Sequence, residues 1–145
     1  MDAEIYEQIP DCAREIRHRV FVEEQGFREE FDDVDHRAAH IVLYDQEKTP
    51  VGTCRIFWDE AMDSHVLGRL AVVKEYRGRQ AGAAIMEEAE QYVRRLGGSS
   101  IVLHAQCRAA AFYQKCGYTE FGEIADDEGC PHIWMRKYFQ AGAKA

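Results

Sequence analysis

Apolar positions along this chain change period several times, and each change predicts a new element. Residues 4–9 read as a short strand. Asp11 is placed to cap a helix carrying Ala13, Ile16 and Val20 on one face, with Gly26 ending it. A polar, acidic stretch to residue 38 reads as loop. Three strand-like runs follow, 40–44, 51–58 and 66–73, separated by short polar turns, which is the pattern of an antiparallel meander. Residues 80–96 then switch to helical period. Ile85, Ala89, Tyr92, Val93 and Leu96 form the stripe, Glu87, Glu88, Glu90, Arg94 and Arg95 face outward, and Gly97-Gly98 stops the helix. Glu90 and Arg94 stand in the favourable i,i+4 order. A buried-type strand at 101–105 completes a βαβ unit with parallel strands. A short helix at 108–116 and strands at 118–121 and 133–138 close the chain. This predicts one α+β domain over residues 1–139, a mixed, mainly antiparallel sheet of about seven strands with flanking helices, and a loose tail at 140–145.

The junction at residues 74–82, Lys-Glu-Tyr-Arg-Gly-Arg-Gln-Ala-Gly, carries the most chemistry. An apolar strand leads in and the long helix leads out. Such a junction presents backbone N–H groups and the positive end of a helix dipole to an anion. Arg77 and Arg79 add donors suited to phosphate. The pattern is neither a P-loop nor the G-x-G-x-x-G of a dinucleotide fold. Glycines and arginines at a helix start also occur as plain turn residues.

Bulk properties narrow the classes. The 145 residues fit one ordinary domain. The 46% hydrophobic and 30% charged content suits a globular, soluble protein, and no apolar run reaches the roughly 18 residues of a membrane span. The N-terminus lacks signal-peptide features, and five scattered cysteines form no C-x-x-C pair, so reduced thiols in the cytoplasm are expected, with no metal site. A formal net charge of −8 argues against nucleic acid. The acids concentrate at Glu23, Glu24, Glu29, Glu30, Asp32, Asp33 and Asp35, and again at Glu123, Asp126, Asp127 and Glu128. Such runs either line a site for a cationic substrate or are solvated loop.

The loop at 77–82 taken together with Phe112-Tyr113-Gln114-Lys115-Cys116-Gly117-Tyr118 resembles the GNAT superfamily of acetyl-CoA-dependent N-acetyltransferases. Val20-Phe21-Val22-Glu23-Glu24-Gln25 and Pro131-His132-Ile133-Trp134-Met135 further resemble a small bacterial, ElaA-like branch. The resemblance implies an acyltransferase with acetyl-CoA as co-substrate, bound in a groove where the two parallel strands splay apart. It implies that Arg77, Gly78, Arg79, Gln80, Ala81 and Gly82 hold the CoA pyrophosphate and that Leu70, Ala71 and Val72 pair with pantetheine. His104, Phe112 and Lys115 complete the cofactor-binding set. Gln80 stands where the family has glycine, at a position needing backbone freedom, so weaker CoA binding is expected. The acceptor would be a small-molecule or protein amine, and relatives often pair as homodimers.

The implied reaction is amine attack on the thioester. Tyr113 matches the family's tyrosine that protonates the leaving thiolate, against the alternative of a core tyrosine. A lysine-like amine, of pKa about 10.4, must first lose a proton. Many relatives carry a glutamate on the strand before the loop, where this chain has Gly68 and Arg69. Glu24, Asp35, His40 and His132 are the other candidates, with Asp35 and His40 also placed as acceptor-binding residues and His132 at the start of a strand. A non-catalytic acetyl-CoA sensor is the alternative function. An acyl-homoserine-lactone-synthase-like enzyme using S-adenosylmethionine is a third, suggested by the Val-Phe-x-x-Glu element.

Overall fold

The computed structural model describes residues 1–28, 31–140 and 142. Glu29, Glu30 and most of the expected tail (141 and 143–145) lie outside the described residues. Among the described residues seven strands form one sheet, in the order β1-β2-β3-β4-β5-β7-β6. The chain divides into two compact units, one of Met1–Phe57 with Gly68–Ala89, the other of Trp58–Leu67 with Glu90 onward.

In the first unit, β1 (Asp2–Tyr6) begins two residues earlier than its apolar pattern suggests and pairs antiparallel with β2 (Ala39–Tyr44). The helix α1 (Asp11–Arg17) has Pro10 as its N-cap, with no side-chain cap bond. Asp11 therefore does not cap it but lies in the first turn, where its charge faces the positive end of the dipole. One regular helix was expected to run on toward Gly26; instead residues His18–Glu24 form a π-helix. Ala13, Ile16 and Val20 are buried as expected, and so are Arg17 and Phe21. Residues Asp33–His36, in the supposed acidic loop, form a turn of 3-10 helix. The strand β3 (Pro50–Asp59) pairs antiparallel with β2. Beside it in the sheet lies β4 (Ser64–Val72), which ends at the junction loop. Gly52 is required by close packing, since a Cβ there would stand 2.6 Å from Ile85 Cδ1 and 3.2 Å from the Ala71 carbonyl oxygen.

The helix α2 (Ala81–Arg95) buries Ile85, Met86, Ala89 and Val93. It ends in a Schellman arrangement. Gly97 N–H donates to the Arg94 carbonyl and Gly98 N–H to the Val93 carbonyl, both at 2.9 Å, with Gly97 at φ 84°. Leu96, expected in the apolar stripe, is exposed.

In the second unit, the first residues of β4 pair in parallel with β5 (Ser100–Gln106), in the register His65↔Ile101 to Leu67↔Leu103. A 3-10 turn and α3 (Ala110–Lys115) lead to β6 (Thr119–Asp127) and β7 (Cys130–Tyr138), an antiparallel hairpin packed on β5 through β7. The second acidic cluster is the tip of this hairpin. Glu128 and Gly129 both have positive φ, the signature of a tight two-residue turn, and Asp126 Oδ2 accepts the Gly129 N–H. Glu90 does not face outward. It follows Met86 by four residues and precedes Val93 by three, so helical geometry places it on the buried side. There its carboxylate accepts from Lys137 Nζ at 2.9 Å and Tyr118 Oη at 3.3 Å.

Candidate functional site

The first unit holds the anion-facing junction. Leu70 and Val72 are half-buried and Ala71 is buried, on the last residues of β4. A 3-10 turn, Lys74–Tyr76, follows, and residues 77–80 form the turn into α2. Gly78 at φ 78° and Gln80 at φ 64° both occupy the left-handed region. The Gln80 carbonyl accepts the Ala84 N–H at 3.0 Å, which makes Gln80 the helix N-cap. The N–H groups of Ala81, Gly82 and Ala83 thus precede the first intrahelical bond and stand at the dipole's positive end. Gln80 holds the left-handed conformation at a steric cost glycine would not incur.

The arginines of this loop already have partners within the chain. Arg77 Nε–H donates to the Val72 carbonyl at 3.1 Å, and its two terminal nitrogens grip Glu24 at 2.8 and 2.9 Å. Arg19 of the π-helix donates from Nη2 alone to both carboxylate oxygens of Glu75, at 3.0 and 3.1 Å. Arg79 stacks over the Tyr76 ring at 4.9 Å, and Tyr76 Oη donates to Asp45. Hydrogen bonds from Arg77 hold the Glu24 carboxyl below its ordinary range, with Lys74 and Arg19 assisting. That leaves Glu24 a weak base and makes it Arg77's tether.

Asp35 and His40 have structural settings. Asp35 is buried and accepts from Arg17 at 2.8 and 3.0 Å and from Arg55 at 3.1 Å, while its Oδ2 also takes the Asp32 N–H. Burial alone would push its carboxyl up. The hydrogen bonds and charge of Arg17 overrule this and hold it well below the usual carboxylate range. His40 is fully enclosed, with Nε2–H on the Asp35 carbonyl at 2.9 Å, and burial lowers its pKa.

In the second unit, Tyr113 lies buried on α3, edge-on to Phe112 at 5.0 Å and to Tyr118 at 6.3 Å, while Lys115 is exposed. The face of β5 and β7 brings His104 and His132 together. His104 stacks on Trp134 at 4.6 Å and leans on His132 at 5.0 Å. His132 Nδ1 lies 2.8 Å from the Cys130 carbonyl, an acceptor only, so Nδ1 carries the proton and Nε2 the lone pair of the neutral ring. Burial first, and the neighbouring His132 second, lower the pKa of His104. Among the described residues no group of three or more His, Cys, Asp or Glu is placed to hold a metal ion, and no helix is long and apolar enough to cross a membrane.

Two residues that organise the first unit escape a reading by periodicity. Arg17 follows buried Ile16 and precedes buried Val20, and Arg55 stands alone between buried Cys54 and Ile56. A lone cation inside an apolar run signals a buried carboxylate partner, and the acidic stretch supplies two.

Comparison with known proteins adds the following. The family model described as an acetyltransferase (GNAT) domain matches residues 6–139. The uncharacterized N-acetyltransferase YjcF of Bacillus subtilis is 39% identical over 134 residues, covering 90% of this chain and 93% of that protein. The crystal structure of Escherichia coli ElaA superposes with a TM-score of 0.81 at 24% identity, over 94% of this chain and 98% of that one. An aminoglycoside 6'-N-acetyltransferase complexed with coenzyme A superposes with a TM-score of 0.70 at 18% identity, over 95% and 97%. At those identities the two structures speak for the fold alone.

Proposed function

We propose that this chain, which belongs to the GNAT family of acetyltransferases and so is an acyltransferase enzyme, moves the acetyl group of acetyl-CoA to a primary amine of a small molecule or protein. The observation that carries this is the start of α2, where Gly78 and Gln80 in the left-handed region set three helix-start N–H groups and two arginines around one turn. That arrangement suits a pyrophosphate. The coenzyme A bound to the aminoglycoside acetyltransferase of the same fold supports the same reading.

Acetyl-CoA supplies an acyl thioester, whose carbon forms the new C–N bond as its C–S bond breaks. The remaining roles fall to the chain. Residues 77–82 bind the pyrophosphate, with Arg77 exchanging Glu24 for phosphate oxygens. Leu70, Ala71 and Val72 offer backbone pairing to pantetheine, and a main-chain N–H on that run would steady charge developing on the thioester oxygen. Nε2 of His132, with its tautomer fixed by Cys130, accepts the proton lost by the amine. Tyr113 gives its hydroxyl proton to the departing thiolate. His104 and Phe112 are assigned to the cofactor side.

Thermal unfolding with acetyl-CoA, CoA, S-adenosylmethionine or ATP tests the cofactor. A ligand at a hundred times its Kd adds about 2.7 kcal/mol. For this chain length that is roughly 5 to 10 °C. The expected shift is with acetyl-CoA and CoA only; a shift with S-adenosylmethionine alone would overturn the assignment. Sustained amine-dependent CoA release then separates an enzyme from a non-catalytic sensor. Tyr113→Phe should lower kcat at least tenfold with CoA affinity retained, whereas unchanged turnover removes Tyr113 from the reaction.

A further inference from the structure

Tyr113 stands in the last turns of α3, and the end of that helix is held from several sides. Tyr118 N–H and Cys116 N–H both donate to the Tyr113 carbonyl, and Gly117 N–H donates to the Gln114 carbonyl, all at 3.0 Å. This is a second Schellman closure, with Gly117 at φ 99° as its left-handed residue. The side-chain contact that accompanies such a closure is made by Tyr118 against Tyr113, edge to face.

A Schellman closure leaves the later carbonyls of the helix to find partners elsewhere. The Cys116 carbonyl finds Lys137 Nζ of β7, at 2.9 Å. The same ammonium donates to Glu90 Oε1 of α2 at 2.9 Å, and Glu90 Oε2 accepts the Tyr118 hydroxyl at 3.3 Å. A Cβ on Gly117 would stand 3.1 Å from Lys137 Cε, so the lysine stem lies directly over the turn. Backbone and ring of Tyr113 are thus tied, through Cys116 and Tyr118, to one ion pair whose carboxylate is 7% exposed. For stability alone, apolar residues of similar volume serve as well as such a pair or better. What the pair adds is direction, since hydrogen bonds at Cys116, Glu90 and Tyr118 fix the turn in rotation as well as in place.

We propose that Lys137 and Glu90 are positioning residues, which set where the Tyr113 hydroxyl stands when it gives its proton to the departing thiolate. This rests on the acetyltransferase reading and on the role given there to Tyr113. Both residues act through the turn at 116–118, not on the reacting atoms.

The test is a double-mutant cycle. Lys137→Met removes the ammonium and keeps an apolar stem over Gly117. It should lower kcat about ten- to a hundredfold, the scale of a displacement of about 1 Å, with CoA affinity by titration calorimetry unchanged. Lys137→Arg still carries donors for both acceptors and should recover most of the loss. In Tyr113→Phe, which has no hydroxyl to place, Lys137→Met should lower kcat by less than about twofold more. Should Lys137→Met fail to fold, Tyr118→Phe takes its place in the cycle. It keeps the ring contact, removes one 3.3 Å hydrogen bond, and should show a smaller loss that likewise vanishes in Tyr113→Phe. A readout that needs no turnover is the ring 13C resonance of Tyr113, expected to move in Lys137→Met and return in Lys137→Arg. Equal losses with and without the Tyr113 hydroxyl, no loss, or an unmoved resonance overturn the positioning role and leave acetyl transfer standing. Undiminished turnover in Tyr113→Phe alone removes both the acid assignment and the positioning role. A resonance that moves in a protein acetylating no amine places the failure in the acetyltransferase reading and not in the tether.

Discussion

Gln80→Gly isolates what the helix start owes to backbone conformation. Gln80 stands at φ 64°, and a residue with a Cβ pays about 1 to 2 kcal/mol in that region. Glycine relieves this but loses more freedom on folding, which returns roughly 0.4 to 1 kcal/mol to the unfolded state. The difference is a net stabilisation of about 0.5 to 1 kcal/mol. With an unfolding entropy of about 2.1 cal/mol/K per residue, the Tm should rise by roughly 2 to 3 °C. The N–H array should not change, because Gln80 already adopts the left-handed conformation and already accepts the Ala84 N–H. CoA affinity should therefore stay within about threefold of wild type on the linkage scale of 1.4 kcal/mol per tenfold. Scanning calorimetry and titration calorimetry with CoA measure the two quantities. A fall in Tm would refute the strain argument. A tenfold gain in CoA affinity would show that the glutamine side chain, and not the backbone, stands in the cofactor's way.

Further expectations concern the ion pairs. Glu24→Gln frees both terminal nitrogens of Arg77 from their carboxylate and should tighten CoA binding by about two- to fivefold, a fraction of a charged hydrogen bond; weaker binding by titration calorimetry would mean that Glu24 holds Arg77 in its binding pose. Asp35→Ala should cost about 3 to 5 kcal/mol in urea unfolding, because it leaves Arg17 and Arg55 buried with one carboxylate fewer. Since the folded Asp35 carboxyl is depressed, its contribution is complete above the unfolded value of about 3.9 and is lost as pH falls below it. Asp35→Asn should therefore flatten the stability–pH slope in that acid window, and an unchanged slope would refute the assignment. Glu90→Ala should destabilise by about 1 to 3 kcal/mol through Lys137 and Tyr118, while exposed Glu87→Ala stays within about 0.5 kcal/mol.

The elements were legible wherever one face of the chain is apolar. The period of α2 and the apolar runs of β2 to β5 follow from burial alone, and their limits agree with the structure to within a residue or two at most ends. The junction at 77–82 was also legible, since strand, turn and helix start are local features. What escaped were charges whose partners lie far along the chain. Arg17 meets Asp35 eighteen residues on, Arg55 meets Asp32 across twenty-three, and Glu90 meets Lys137 across forty-seven. Periodicity assigns each of these residues to a face but cannot say whether that face supplies a counter-charge.

The same gap inverts the electrostatic reading of the acidic stretch. As a sequence, Asp32, Asp33 and Asp35 read either as a site for a cationic substrate or as solvated loop. In the fold, two of the three are bound to arginines and the third, Asp33, opens a 3-10 turn. A carboxylate bound bidentately by a guanidinium has little attraction left for a further cation, whereas the guanidinium's remaining N–H keeps its full need for an acceptor. Local charge density is therefore a poor guide to this stretch, because the arginines that neutralise Asp32 and Asp35 come from distant positions along the chain.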